Sequence, residues 1–186
     1  MWKVASRRAG VLLSGGVDSA VVLALLTAGG SDVCTVWIDY GQPAAAAERE
    51  ASKAIASRYG VPRTELTVAG LLPPNAGEFP GRNDMLVALA AAAAPNRSVA
   101  IGVHAGTGYA DCSPSWVDEW QGLLTVQHQG AVRVLAPLAD LSKAQVYALA
   151  HQLGVPIALT HSCEASDVPC GCCLSCGDRR MLDARP

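Results

Sequence analysis

Short apolar runs alternate with longer segments of helical periodicity along most of the chain. Residues 9–13 are apolar and stop at Ser14-Gly15-Gly16, after which residues 17–28 repeat apolar positions at helical spacing and end in glycine. The same order recurs, with further strands predicted at 32–40, 63–70, 98–106 and 131–138, and further helices at 44–59, 82–94 and 140–154. Strands that alternate with helices predict an α/β fold with a doubly wound, mainly parallel sheet and ligands at the carboxyl ends of its strands.

Length and charge indicate how many domains and which kinds of partner to expect. At 186 residues the chain suits about one domain. We expect residues 1–156 to form an α/β domain and residues 157–186 to form a C-terminal segment packed on it. A net charge of −2, from 14 basic and 16 acidic residues, provides no basic field, so direct nucleic-acid binding is not expected. Because the apolar runs are short or interrupted by glycine, we expect no signal peptide or membrane span and a cytoplasmic location.

Five of the seven cysteines lie between residues 163 and 176. An odd total is not typical of a disulfide framework, and clustered thiols in a reducing compartment more often bind metal. Their spacing predicts a zinc site with Cys172 as a spare thiol turned away from it. The predicted ligands are Cys163, Cys170, Cys173 and Cys176. Buried or redox-active thiols and an iron–sulfur cluster remain alternatives.

The turn "SGGVDS", residues 14–19, joins the first predicted strand to the first predicted helix. Two glycines allow a tight turn with exposed N–H groups, Ser14 and Ser19 add hydroxyls, and the positive end of the helix dipole points at the turn. These features predict an anion-binding loop. It matches neither a Walker A motif nor a Rossmann fingerprint, and an ordinary glycine turn is the alternative.

"SGGVDS" resembles the pyrophosphate loop of the N-type ATP pyrophosphatases. Four further stretches resemble the QueC family of 7-cyano-7-deazaguanine synthases within that superfamily. They are "DYGQ" at 39–42, "FPGRN" at 79–83, "GYADC" at 108–112, and "APLADLSKAQV" at 136–146 followed by the cysteine-rich tail. The ordered combination covers nearly the whole chain, and the loop, "GRN" and tail together make it specific.

The resemblance implies ATP and Mg²⁺ at the loop and structural Zn²⁺ at the four cysteines, with Asp18 near the magnesium. It implies catalytic roles for Asp18, Ser19 and Lys143. The implied ATP-binding residues are Leu13, Ser14, Gly15, Gly16, Val17, Asp18 and Ser19. The implied substrate-binding residues are Asp39, Tyr40, Gln42, Arg82, Asn83, Tyr109 and Asp111.

The implied reaction is ATP-dependent adenylation of 7-carboxy-7-deazaguanine, amidation by ammonia and conversion to the nitrile, with AMP and pyrophosphate released; a homodimer is also implied. The chain departs from the family pattern at Pro43 and Ala44, where a basic residue and a histidine are usual, at Ala110, where proline is usual, and in a shortened loop at 71–78. These departures favour as an alternative a QueC-like paralogue that stops at the amide or joins the acid to another amine, such as a protein or peptide N-terminus. A non-catalytic, zinc-stabilised nucleotide-binding module is the alternative from another class, and a sulfur-transferring relative is a third.

Overall fold

The computed structural model describes residues 8–71, 79–107 and 109–184. Its strands are β1 (Arg8–Leu12), β2 (Asp32–Asp39), β3 (Arg63–Thr67), β4 (Ser98–Ala100) and β5 (Val134–Leu135). The helices of these ranges are α1 (Val17–Ala28), α2 (Ala45–Tyr59), α3 (Arg82–Ala93), α4 (Pro114–His128), α5 (Lys143–Gln152) and α6 (Leu174–Asp183). Most of the shortened loop at 71–78, and Gly108 of "GYADC", lie outside the described residues.

The five strands form one parallel sheet in the order β3-β2-β1-β4-β5. β1 lies at the centre, with Ala9 opposite Val33 of β2 on one side and opposite Ser98 of β4 on the other. The strand order reverses between β1 and β4, and in such sheets this reversal opens a crevice beyond the carboxyl ends of the two strands. The predicted α/β fold with a parallel, doubly wound sheet is confirmed.

Two buried clusters lie on the two faces of the sheet. Successive residues of a strand point to opposite faces, and Val11 accordingly belongs to one cluster while Leu12 belongs to the other. α1 and α5 pack in the first cluster, and α3 and α4 pack in the second. α1 is buried along most of its length, which fits its position against the centre of the sheet.

One end of α2 and one end of α5 are fixed by residues of the local sequence. α2 ends at Gly60, which adopts a φ of 65° that glycine accepts without a Cβ penalty. α5 begins with a reciprocal capping box between Ser142 and Gln145, so Ser142 is its N-cap. The helix α4 was not predicted from the periodicity, although Ser113 as N-cap and Pro114 in the first turn are helix-start signals.

The strands β4 and β5 are shorter than the predicted runs of 98–106 and 131–138. Beyond β4 the chain passes the first turn of α1, where a Cβ atom at Gly102 would lie 3.0 Å from the backbone nitrogen of Ser19. One further hydrogen bond joins the Ile101 N–H to the Leu135 carbonyl at 2.9 Å, and apolar residues beyond it such as Val103 are buried without being in a strand.

The C-terminal segment is tied to the rest of the described chain by α6. The Tyr147 hydroxyl of α5 donates to Asp183 of α6 at 2.8 Å, and within the segment the Arg179 guanidinium donates to the Ile157 carbonyl at 3.1 Å and to the Thr160 hydroxyl at 2.9 Å. The division of the chain at residue 156 stays a prediction. In the part of the chain that the structure describes, no helix has the length and apolar character needed to cross a membrane.

Candidate active site

The turn between β1 and α1, residues 14–19, is called the phosphate loop below. Gly15 adopts a φ of 91°, and a Cβ atom there would lie 2.8 Å from Ala51 Cβ and 2.9 Å from the Glu48 carbonyl oxygen of α2. Both the backbone conformation and the contact with α2 therefore require glycine. The carbonyl oxygen of Gly15 also accepts a hydrogen bond from the His161 backbone N–H at 3.0 Å.

The phosphate loop places two hydroxyls beside the N-terminus of α1. The Ser14 and Ser19 Oγ atoms are 3.3 Å apart, and Ser19 donates to the Gly16 carbonyl at 3.0 Å. Gly16 is the N-cap, and no side chain caps the helix there. Helix N-termini of this kind bind anions through free N–H groups and the helix dipole. Leu13 and Val17 point into the core, so they face the loop only through their backbones.

Two basic side chains from distant parts of the chain reach Asp18 in the first turn of α1. Lys143 Nζ lies 2.9 Å and 2.7 Å from the two carboxylate oxygens of Asp18. His104 Nε2, beyond the carboxyl end of β4, lies 4.0 Å from Asp18 Oδ2. These groups stand at the strand-order reversal, where the fold predicts the ligand crevice. The sequence analysis singled out Asp18 and Lys143 separately but not their pairing, and it did not single out His104.

The buried Gln42 and the half-buried Glu48 form a polar pair on the neighbouring side of the phosphate loop. The Gln42 side-chain amide donates to the Ile38 carbonyl at 3.1 Å and to Glu48 Oε2 at 2.8 Å, and its oxygen accepts from the Tyr40 N–H at 2.9 Å. Both N–H groups of Gln42 are thus engaged within the protein. Gln42 therefore holds Glu48 in place, a role that the sequence analysis did not assign.

Burial raises the pKa of Glu48 from 4.5 to about 7, although the Gln42 hydrogen bond and the nearby Arg82 guanidinium act in the opposite direction. A carboxyl group with this pKa changes its charge near neutral pH. No sequence signal distinguishes Glu48 from the other charged residues of α2, because its environment is built by residues from β2 and α3. The sequence analysis therefore did not single out Glu48 as a site residue.

The "GRN" residues lie beside the turn that precedes α4. The Asn83 backbone N–H donates to Asp111 Oδ2 at 3.3 Å, and its side-chain amide donates to the Asp111 carbonyl at 2.9 Å. Burial raises the pKa of Glu48 and of Cys112, and the positive charge of Arg82 offsets part of both increases. Tyr109 is 44% exposed at the same edge. The structure thus brings together Arg82, Asn83 and Asp111 from the predicted substrate-binding set, with Glu48 beside them.

Asp39 takes part in a different cluster. Its Oδ1 accepts from the Gly41 N–H at 3.0 Å, and its Oδ2 pairs with Arg49 of α2 at 3.2 Å. The Arg49 guanidinium also lies 4.9 Å from the centre of the Trp37 ring and pairs with Glu65 of β3 at 3.0 Å. The carboxylate of Asp39 is thus directed to the surface of α2 and β3.

The cysteine-rich segment gathers four thiols, from Cys163, Cys170, Cys173 and Cys176, whose sulfur atoms lie within 4.8 Å of one another. Around one zinc ion with bonds of about 2.3 Å, tetrahedral sulfurs would be about 3.8 Å apart, and the Cys170 and Cys176 sulfurs are 4.0 Å apart. The donor set and its spacing fit a single metal ion. The sequence identified the same four ligands, but Cys172 is not turned away, since its sulfur lies 3.5 Å from that of Cys170.

Backbone N–H groups donate hydrogen bonds to sulfur atoms of this cluster. The N–H of Cys173 points at the Cys170 sulfur at 3.4 Å, and that of Cys170 points at the Cys163 sulfur at 3.4 Å. Hydrogen bonds from the N–H groups of Cys172 and Cys173 lower the pKa of Cys170 to about 6. The Cys170 thiolate is the form that binds metal.

A parallel α/β sheet with "SGGVDS" at its strand-order reversal defines the pyrophosphate-loop class of nucleotide-binding folds. The structure of NMN synthetase from Francisella tularensis has this architecture, with a TM-score of 0.52 and 16% sequence identity over 98% of this chain and 79% of that protein. At that identity the likeness concerns the fold.

A family profile described as "Queuosine biosynthesis protein QueC" matches residues 8–73 and 74–182. The chain belongs to the QueC family of biosynthetic enzymes. The protein named 7-cyano-7-deazaguanine synthase from Cupriavidus metallidurans is 34% identical over 209 aligned positions, covering 94% of this chain and 92% of the relative. Proteins of the same name from Gloeothece citriformis and Pseudomonas fluorescens are 32% and 35% identical, over 95% and 91% of this chain and 92% and 88% of the relatives.

Proposed function

We propose that this protein is an ATP-dependent ligase that adenylates the carboxylate of 7-carboxy-7-deazaguanine, with release of pyrophosphate, and then forms a carbon–nitrogen bond with release of AMP. The carrying observation is the phosphate loop at the centre of the sheet, with the Asp18–Lys143 pair beside it. Membership of the QueC family supports the choice of substrate, because the curated relatives are named 7-cyano-7-deazaguanine synthases.

In the proposed first step, the substrate carboxylate attacks the α-phosphorus of ATP and pyrophosphate leaves. The departing group gains negative charge, and three features of the chain stabilise it: the N–H groups at the start of α1, Lys143 and His104. Lys143 Nζ lies 2.7 Å from Asp18 Oδ2 in the first turn of α1, the end of the helix at which the phosphates would bind.

The proposed function includes two metal ions, Mg²⁺ and Zn²⁺. Asp18, in the first turn of α1, would hold Mg²⁺ together with the phosphates, since Mg²⁺ prefers oxygen ligands, and the ion would neutralise phosphate charge. Zn²⁺ would bind the four clustered thiolates and hold the C-terminal segment in place, because a closed four-cysteine site has no open position for chemistry.

In the proposed second step, an amine attacks the acyl carbon and AMP leaves, which yields an amide. With ammonia, the amide oxygen can attack a second ATP with loss of pyrophosphate, and the oxygen then leaves with AMP while the nitrogen loses its two protons, which gives the nitrile. Arg82 is the cation that we assign to the substrate carboxylate, since a guanidinium binds a carboxylate through two parallel hydrogen bonds. Asn83, Asp111 and Tyr109 would border the base, as their shared edge supports.

A second candidate function is supported by one observation, that this chain has fewer residues than its alignment with a relative has positions. The alignment with the Cupriavidus metallidurans relative spans 209 positions, whereas 94% of 186 residues is about 175, so roughly 30 positions of the alignment have no residue of this chain. A trimmed acceptor side would admit an amine larger than ammonia, such as a protein or peptide N-terminus, or would stop the reaction at the amide. A homodimer stays a prediction from the family.

Product analysis tests both candidates. The purified protein is incubated with ATP, Mg²⁺, ammonia and 7-carboxy-7-deazaguanine, and nucleotides and bases are followed by chromatography and mass spectrometry. AMP with pyrophosphate and a nitrile product supports the first candidate, and AMP with an amide that persists supports the second. ADP as the main product would exclude adenylation, and a protein that binds ATP without turnover would be a nucleotide-binding module.

A further inference from the structure

The segment between Cys163 and Cys176, called the thiolate loop below, contacts the N-terminus of α2. Asp167 Oδ1 accepts a hydrogen bond from the Ala47 backbone N–H at 2.9 Å, although the two residues are 120 positions apart in sequence. A second contact joins the chain just before this loop to the phosphate loop, where the His161 N–H donates to the Gly15 carbonyl.

The local sequence of α2 supplies no cap of its own. The residue at the N-cap position is Ala44, no side chain caps the helix from there, and it is followed by Ala45, Ala46 and Ala47. A helix leaves its first N–H groups without intrahelical partners, and an alanine at the N-cap typically costs about 1 kcal/mol relative to a capping residue. Asp167 supplies the missing acceptor at the third helical residue, and its negative charge is favourable at this end of the helix dipole.

The first two turns of α2 pack against Gly15 of the phosphate loop. A Cβ atom at Gly15 would meet Ala51 Cβ at 2.8 Å, the Glu48 carbonyl oxygen at 2.9 Å and the Ser52 nitrogen at 3.1 Å. A shift of this end of α2 therefore moves the surface against which Gly15 is packed. It also moves Glu48, whose pKa is raised mainly by burial and to a smaller extent by the Asp167 carboxylate.

The position of Asp167 depends on the thiol cluster. It lies between Cys163 and Cys170, both members of the group whose sulfurs lie within 4.8 Å of one another. His161 also contacts the thiolate loop, since its Nε2 is 3.1 Å from the Ser166 carbonyl oxygen. A metal bound by the cysteines would fix both ends of this short stretch and hence the Asp167 carboxylate.

We propose that Asp167 is a positioning residue that couples metal binding at the four cysteines to ATP binding at the phosphate loop, by capping α2 from a distance. The inference rests on the proposed function in one respect, that ATP binds this loop. Coupling between two binding equilibria is reciprocal, so ATP should also tighten metal retention.

The test uses four forms of the full chain: wild type, Asp167→Ala, Asp167→Asn and the control Asp118→Ala. Asparagine keeps a side-chain oxygen acceptor, and Asp118 is an exposed residue of α4 whose loss changes the net charge equally. Zinc content is measured by elemental analysis. Affinity for α,β-methylene-ATP is measured by calorimetry, on zinc-loaded protein and after treatment with a chelator.

We expect Asp167→Ala to keep its zinc and to bind the analogue about fivefold more weakly, which corresponds to the loss of one helix cap. Asp167→Asn should retain most of the affinity, and Asp118→Ala all of it. Zinc removal should weaken binding to the wild type by a larger factor than to Asp167→Ala, because the variant has already lost this connection. Equal affinity of zinc-loaded wild type and Asp167→Ala would overturn the proposal.

Hydrogen exchange separates this inference from the proposed function. The amides of residues 45–51 should exchange faster in zinc-loaded Asp167→Ala than in the wild type, whether or not the analogue binds. Failure of the wild type to bind the analogue would count against the proposed ATP site. Unchanged exchange at residues 45–51 would instead show that Asp167 does not position α2.

Discussion

Replacement of Glu48 by glutamine should make the protein more stable, by an amount that grows with pH. Glu48 Oε2 accepts a hydrogen bond from Gln42, and burial raises the pKa of Glu48 from 4.5 to about 7. A carboxyl group whose pKa is higher in the folded state binds its proton more tightly there. Its contribution to the free energy of unfolding is therefore fully present below about pH 4.5 and is lost as the pH rises through about 7.

The magnitude follows from the two pKa values. Relative to a permanently neutral side chain, a carboxyl group whose pKa rises from 4.5 to about 7 on folding lowers the free energy of unfolding by between 1 and 2 kcal/mol at about pH 5.5 and by about 3 kcal/mol at about pH 8. Glutamine is neutral throughout and keeps an oxygen that can accept from Gln42. The stability difference between Glu48→Gln and the wild type should thus widen by about 2 kcal/mol over this range.

Equilibrium urea unfolding of both proteins at several pH values between about 5.5 and 8, with equal zinc, measures this difference. Protonation of the cysteine thiolates changes both proteins alike and cancels in the comparison. Glu50→Gln serves as the matched control, because Glu50 is an exposed carboxylate of the same helix. A stability difference between Glu48→Gln and the wild type that stays constant across the pH range would refute the argument that burial controls this group.

Three further predictions, made with four substitutions, test the site. Asp18→Ala should lower the rate of pyrophosphate release by about a hundredfold or more, since a carboxylate that helps to hold magnesium is lost; an unchanged rate would remove Asp18 from the proposed chemistry. Cys163→Ser should reduce the zinc content measured by elemental analysis and lower the melting temperature, whereas Cys172→Ser should retain about one zinc per chain; equal loss in both variants, or iron in place of zinc, would contradict the predicted ligand set. Gly15→Ala should cost about 2 kcal/mol or more of stability because of its positive φ and its contact with α2, and a melting curve like that of the wild type would contradict this.

The sequence alone was enough to predict the five strands in order and four of the six helices that the structure describes, but not α4 or α6. Helical periodicity and end signals located α1, α2, α3 and α5, because these signals act between residues a few positions apart. The four clustered thiols were also predicted, because metal-ligand spacing within a short segment is itself a local property. The helix α4 had local start signals too, Ser113 and Pro114, but the sequence analysis did not use them.

Tertiary structure alone decided which distant side chains meet. Asp18 and Lys143 are 125 positions apart, and Asp167 and Ala47 are 120 positions apart, so neither pairing leaves a pattern in the neighbouring sequence. Asp39 stands beside Gln42 in the "DYGQ" motif, yet their side chains contact different partners, Arg49 and Glu48. The raised pKa of Glu48 likewise arises from enclosure by separate elements. Local propensities are set by nearest neighbours along the chain, whereas these contacts and this burial exist only once the sheet and its helices have packed together.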